Sequence, residues 1–226
     1  MLGVALLMSG CASARPDLPP RDLVVLVHGM GRSPLSMAPL QISLQRAGYR
    51  VLNVGYDSQG PSVAEIGAEL GQEVDDALAE EPAPTVHYVG HSLGTVAIRW
   101  HLIHGDPPNV GRAVLLAPPN QGASSADRLE RWVGWALPPI RELGTTGIAS
   151  SLGPPPGVEV AVIAGDGDAK VTVEETCLDG AEHAVVPSHH TFIMMRPRVM
   201  GMVRSFLATG VLPHADAATC ADELGA

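Results

Sequence analysis

The stretch TVHYVGHSLGTVAIRW, residues 85–100, decides how this chain folds. Its first part is apolar and β-branched, as in a buried strand, and its last part spaces apolar residues as a helix does. Between them lies Gly90-His91-Ser92-Leu93-Gly94. A simple turn needs one glycine, whereas two glycines around a serine indicate a strand that bends sharply into a helix, with no room for side chains on either side.

Strand and helix patterns alternate on both sides of this stretch. Apolar runs ending in Gly or Pro are typical of strands buried on both faces, and alternation with helices favours a mostly parallel sheet covered by helices on both faces. We therefore predict an α/β fold. Strands are predicted at 22–29, 49–56, 85–90, 111–119, 157–165 and 181–187, and helices at 33–48, 61–81, 92–105 and 190–210, the last interrupted near Pro197.

Residues 120–157 break the alternation. This segment is rich in Gly, Pro and Ser and contains one amphipathic piece, ADRLERWVGWAL, at 126–137. Trp132 and Trp135 lie on that piece, and two interpretations stay open for them. They form an apolar rim or small lid over a pocket, or they pack onto the core.

Composition limits the function classes. The chain has 226 residues, of which 46% are apolar, which suits one compact domain. The formal net charge is -10 and no basic stripe is present, which argues against nucleic-acid binding. We predict one domain over 22–212, preceded by a targeting segment at 1–21 and followed by a polar tail at 213–226. We expect no cofactor.

The N-terminal segment MLGVALLMSGCASARPD is a short apolar run that ends in small residues and a cysteine. It is too short to span a bilayer and is typical of a signal peptide. Its end resembles a bacterial lipobox, in which Cys11 would be lipidated and would attach the protein to a membrane, although Met8 stands where leucine is usual. The alternative is a cleaved secretory signal. Either way we expect an exported protein, periplasmic, envelope-anchored or secreted.

Export would give Cys177 and Cys220 a role. In an oxidising compartment the two thiols could pair, and closing a loop of about 40 residues would stabilise the fold by roughly 4 kcal/mol. The alternative is a pair of free, half-buried thiols. We expect the disulfide, which would tie the C-terminal tail to the rest of the domain.

Polar residues follow several predicted strands, at the edge where parallel sheets form their sites. GHSLG fits the G-x-S-x-G nucleophile elbow, which nominates Ser92 as the nucleophile. In VLVHGMG, the backbone N–H of Met30 could join that of Leu93 in an oxyanion hole, while His28 would only orient the loop.

Candidates for the acid and then for the base of a catalytic triad follow further along the chain, in the order Ser, Asp, His. The acids are Asp166, Asp168 and Asp179, and the bases are His189 and His190.

Five motifs together resemble the small bacterial lipases and esterases of the α/β-hydrolase fold, including the lidless lipases. They are VHGMGRSP, GHSLG, LLAPPNQGA, DAKVTVEETCLDG and HHTFIMM, and the resemblance extends from about residue 23 to 207. It implies that no large cap domain is present. It also implies that Asp168, with Val171 three residues later, is the acid, and that His190 in V-P-x-x-H-T-F is the base.

The expected activity is hydrolysis of a small-molecule ester or lipid by Ser92, His190 and Asp168 through an acyl-enzyme. Two other classes use the same scaffold: an acyltransferase, in which an alcohol replaces water, and a non-catalytic envelope-binding lipoprotein. A metal site built from Asp168, His183, His189 and His190 lacks paired ligand spacing, so we predict none. The sequence does not define the oligomeric state.

Overall fold

One parallel sheet organises the chain. The structure is a computed structural model that describes residues 21–134, residues 137–214 and Cys220. Six strands lie in the order β2-β1-β3-β4-β5-β6, and every neighbouring pair is parallel. The strands are β1 Leu23–Val27, β2 Arg50–Val54, β3 Val86–His91, β4 Val110–Leu116, β5 Glu159–Gly165 and β6 Glu182–Val186.

Helices cover both faces of this sheet, which confirms the predicted fold class. They are α1 Ala38–Arg46, α2 Val63–Glu80, α3 Leu93–His104, α4 Ser124–Val133, α5 Pro138–Glu142, α6 Ile148–Ser151 and α7 Pro197–Thr209. The 3-10 helices Pro34–Met37, Glu174–Thr176 and His190–Met195 complete the elements.

Strand β1 shows how the apolar sequence builds two cores at once. Val24 and Leu26 pack in one buried cluster with α1 and α7. Leu23, Val25 and Val27 pack in another with α2 and α3. Successive side chains of a strand point to opposite faces, so a continuous apolar run is needed where both faces are covered.

The chain order places a crevice at the end of β1 and β3. From β1 the chain adds β2 on one side, then returns to add β3 and the later strands on the other. Ligands in such sheets bind beyond the carboxyl ends of the strands, where the strand order reverses. The loops that follow β1, β3, β5 and β6 all begin at this edge of the sheet.

The segment at 120–157 is more ordered than its composition predicts. It contains α4, α5 and α6, of which only α4 has an amphipathic sequence long enough to be foreseen. Arg99 of α3 is fully buried and donates to the carbonyls of Ala149 and Leu152, which fastens the end of this segment to α3. Trp132 is 80% exposed, so core packing is wrong for this residue. Trp135 lies outside the described residues.

A disulfide joins Cys177 to Cys220, which confirms the expected pairing. Both cysteines are buried. Residues 1–20, including Cys11, and most of the tail lie outside the described residues, so the proposed targeting segment and the domain limits stay predictions. In the parts of the chain that the structure covers, no helix is both long and apolar enough to cross a bilayer.

Removing the disulfide is expected to destabilise the fold. The two cysteines are 43 residues apart, and the loss of such a cross-link costs up to about 4 kcal/mol in the chain-entropy view. Urea unfolding of the Cys177→Ala/Cys220→Ala protein should show this decrease. Reductant should lower the stability of the wild type and leave the double variant unchanged. Equal stability of the two proteins without reductant would show that the bond contributes nothing.

Candidate active site

The link between β3 and α3 is a strained turn centred on Ser92. Ser92 has φ 52° and ψ -121°, a backbone conformation that L residues rarely adopt. A Cβ on Gly90 would lie 2.9 Å from backbone atoms of Gly94 and Thr95. One on Gly94 would lie 2.4 Å from the carbonyl oxygen of Val27. The two glycines of the motif therefore allow the start of α3 to pack closely against β1 and β3. This close packing positions Ser92 at the end of the sheet.

Ser92, His190 and Asp168 form a continuous hydrogen-bonded chain. The Ser92 Oγ lies 3.0 Å from the His190 Nε2, and the His190 Nδ1 lies 2.6 Å from the Asp168 Oδ2. The three residues come from the ends of β3, β6 and β5. The structure thus brings together the three side chains that the sequence nominated, in the arrangement that nucleophilic catalysis by serine requires.

Asp168 is held so that its carboxylate faces the imidazole. Its side chain is 1% exposed, and its Oδ1 accepts the backbone N–H groups of Lys170 at 2.8 Å and Val171 at 3.0 Å. Burial alone would raise the pKa of Asp168. The hydrogen bond and charge of His190, with the two backbone donors, outweigh burial and hold the pKa below its ordinary value. An ionised carboxylate is what orients a histidine as a base.

The other candidates lie outside this chain of contacts. Asp166 is exposed and accepts the backbone N–H of Ser188, and Asp179 is exposed on another loop. The ring of His189 is exposed, and its Nδ1 lies 2.7 Å from the carbonyl oxygen of Gly167. The geometry therefore selects Asp168 and His190 over their neighbours.

The loop after β1 carries the second nominated oxyanion donor. Met30 lines the same cavity as Ser92, and Leu93 begins α3 directly after the serine. Among the described residues, no acceptor takes the backbone N–H of Met30 or Leu93 in a turn or side-chain hydrogen bond. His28 is fully buried and stacks on Tyr56 with ring centroids 4.3 Å apart. This packing agrees with an orienting role for His28.

His91 is a site residue that the sequence reasoning missed. It precedes Ser92 and is buried beside His190, with ring centroids 4.9 Å apart. Its Nε2 lies 2.9 Å from the carbonyl oxygen of His190, which can only accept, so Nε2 carries the proton. Its Nδ1 packs against Gly29, where a Cβ would lie 2.7 Å away. His91 thus positions the backbone of His190. The only sequence signal was its place within GHSLG.

Replacing His91 should change how stability depends on pH. Burial, with a smaller contribution from His190, lowers the pKa of His91 to about 3 from an unfolded value of 6.5. Between pH 3 and pH 6.5, His91 is protonated in the unfolded chain but neutral in the folded protein. The free energy of unfolding therefore falls by about 1.4 kcal/mol for each unit that the pH falls. His91→Gln keeps a donor but does not titrate.

The measurement is urea unfolding between pH 6 and pH 4. The free energy of unfolding should fall more steeply with acid in the wild type than in His91→Gln, whatever the offset between them at pH 7. Parallel curves would contradict a buried, neutral His91.

A mainly apolar cavity of about 170 Å³ opens next to Ser92 and His190. Much of its wall comes from the segment at 120–157, where the sequence analysis offered a rim over a pocket as one of two interpretations. Trp132 itself is not among the lining residues. Arg32, Ser125 and Lys170 add polar groups to the wall. The apolar lining includes Pro119, Ala123, Ala126, Leu129, Ile140 and Leu143.

The histidines considered for a metal are engaged elsewhere. His190 faces Asp168 and Ser92, His189 faces a backbone carbonyl, and the His183 Nε2 lies 2.8 Å from the Thr176 Oγ1. Cys177, His183 and Cys220 do place possible ligand atoms within 4.8 Å of one another. Their two sulfur atoms are joined to each other, and metals bind the free thiolate form.

Comparisons with known proteins find this fold in solved structures. No protein-family model matches the sequence, and no curated protein matches it significantly. Solved structures do match. The mature form of a Bacillus licheniformis lipase aligns with a TM-score of 0.65 and 18% identity, over 80% of this chain and 89% of that chain. A Pyrococcus furiosus esterase gives a TM-score of 0.67 and 19% identity, over 84% and 82%.

A hydrolase from Pseudomonas aeruginosa also aligns, with a TM-score of 0.57 and 19% identity, over 84% of this chain and 91% of that chain. These likenesses show that the chain has the α/β-hydrolase fold, as its motifs implied. No large cap domain is present in the described residues, where the longest connection between strands, from β4 to β5, contains only the helices α4, α5 and α6.

Proposed function

We propose that this protein is a serine hydrolase that cleaves carboxylic esters through an acyl-enzyme on Ser92. The observation that carries the proposal is the hydrogen-bonded chain from Ser92 through His190 to Asp168 at the wall of an apolar cavity. The fold shared with a lipase and an esterase supports the same class of reaction.

The proposed reaction has two halves. The His190 Nε2 takes the proton of the Ser92 hydroxyl as the oxygen attacks the ester carbonyl, and Asp168 stabilises the imidazolium that forms. The N–H groups of Met30 and Leu93 would bind the oxyanion, each for about 3 kcal/mol of transition-state stabilisation. His190 then protonates the leaving alcohol. Water, activated by the same histidine, attacks the acyl-enzyme and releases the acid.

The apolar residues that line the cavity beside Ser92 favour an apolar acyl chain on the ester. A p-nitrophenyl ester series from acetate to palmitate tests the class of reaction and measures the preferred chain length. A folded wild-type protein that hydrolyses none of these esters would contradict the proposal.

We also propose that the protein is exported and attached to the cell envelope through a lipid on Cys11. The lipobox-like sequence motivates this, and the disulfide between Cys177 and Cys220 supports an oxidising compartment. Bacterial expression with labelled palmitate should place the label on the wild type in the membrane fraction and not on Cys11→Ser. An unlabelled, cytosolic wild type would contradict this proposal without affecting the enzymatic one.

A further inference from the structure

Two positive side chains line the cavity of a strongly acidic protein. Arg32 and Lys170 both contribute to the wall that also contains Ser92 and His190, and none of the lining residues is a carboxylate. Lys170 is the single lysine in a chain whose net charge is -10. The cavity is therefore locally positive, opposite in sign to the protein as a whole.

No acidic partner of these two cations lies among the described residues, where neither Arg32 nor Lys170 forms an ion pair. The Arg32 guanidinium donates to the Thr191 Oγ1 at 3.3 Å. The backbone N–H of Lys170 donates to Asp168, and its carbonyl oxygen accepts the Ser125 hydroxyl. The residue itself is exposed. The Asp168 carboxylate is turned away toward His190. Both charges remain available to a ligand.

Their position relative to the reacting atoms indicates which part of an ester they would meet. Arg32 contacts the residue after His190, and Lys170 is held by the carboxylate that orients His190. The cations thus lie around the histidine that would protonate the leaving alcohol. The apolar wall from residues 119–143 supplies a separate surface for the acyl chain.

We propose that Arg32 and Lys170 bind an anionic group, a carboxylate or a phosphate, on the alcohol part of the ester substrate. The inference rests on the proposed ester hydrolysis and assigns its substrate class: esters with an apolar acyl chain and a negatively charged alcohol. The net charge of the protein would repel such a substrate at long range, so a preference for it would have to come from local groups such as these two charges.

Three butyrate esters test the proposal, differing in the phenol that leaves. One phenol is methyl 4-hydroxybenzoate, which is neutral, and the others are 4-hydroxybenzoate and 4-hydroxyphenyl phosphate. Each kcat/KM is divided by the hydroxide-catalysed rate constant of the same ester, which removes differences in intrinsic reactivity. Exposed ion pairs are weak, so about threefold is expected from each cation and about tenfold from both.

At low salt, the wild type should therefore prefer at least one anionic ester by about tenfold, mainly through KM, and added NaCl should reduce the preference. The Arg32→Gln/Lys170→Gln protein should lose the preference. Arg46→Gln, which removes an exposed arginine of α1 outside this cavity, should retain it. The better anionic ester then identifies the headgroup as carboxylate or phosphate.

Two results would overturn the proposal while the hydrolase assignment stands: a wild type that cleaves the neutral ester at least as well as both anionic esters, or a double variant that keeps the full preference. A wild type that cleaves none of the three would reject the ester-hydrolase function and this inference with it.

Discussion

Ser92→Ala is expected to reduce kcat/KM for p-nitrophenyl butyrate by about 10⁴-fold or more. The hydroxyl is the atom that would form the acyl-enzyme, and an alanine leaves only the oxyanion donors and the cavity to act on the ester. Among the described residues, the hydroxyl makes one hydrogen bond, the contact with His190, so its loss should leave the fold intact.

The control for this variant is Ser151→Ala, which instead removes the hydroxyl of an exposed serine at the end of α6. It should retain wild-type kcat/KM, and both variants should keep the far-UV circular dichroism of the parent. If Ser92→Ala retained a tenth of the activity, Ser92 would not be the nucleophile.

Asp168→Asn is expected to reduce kcat by about 10⁴-fold with little change in KM. The amide presents a donor to the His190 Nδ1 and favours the tautomer in which Nε2 carries a proton and cannot accept the one from Ser92. It also removes the charge that stabilises the imidazolium. Steady-state kinetics across the ester series, with stability measured in parallel, separates this effect from misfolding.

Asp166→Asn is the matched control, because Asp166 lies two residues away in the same loop and accepts the N–H of Ser188 rather than a bond from His190. We expect it to keep activity within a few-fold of wild type. If Asp166→Asn were the severe variant and Asp168→Asn the mild one, the acid would be assigned incorrectly.

The sequence was sufficient for the sheet because burial on both faces demands long apolar runs, and those runs are visible in β1, β3 and β5. It was sufficient for the strained turn at Ser92 because such a turn requires glycines at fixed positions, and the backbone contacts of Gly90 and Gly94 explain why. Asp168 and His190 needed the family resemblance, since Asp166 and His189 are chemically equivalent neighbours in the sequence.

Most of the cavity wall could not be predicted; the sequence offered only the amphipathic piece at 126–137 as a possible rim. Helices α5 and α6 have five and four residues, too few for apolar spacing to be recognised, and their place depends on contacts such as Arg99 with Ala149 and Leu152. Arg32 and Lys170 are 138 residues apart in the sequence and line one cavity because β1 and β5 end at the same edge of the sheet. Charges that converge from distant loops leave no local pattern in a sequence.

If His190 activates Ser92 as a nucleophile, a fluorophosphonate probe should react with the Ser92 hydroxyl. Mass spectrometry of the intact protein and of its peptides would locate the adduct. We expect one adduct, on Ser92, which is absent from Ser92→Ala. It should form much more slowly in His190→Gln and at the wild-type rate in His189→Gln. A folded wild type that stays unmodified, or that carries the adduct on another serine, would contradict the activation of Ser92 by His190.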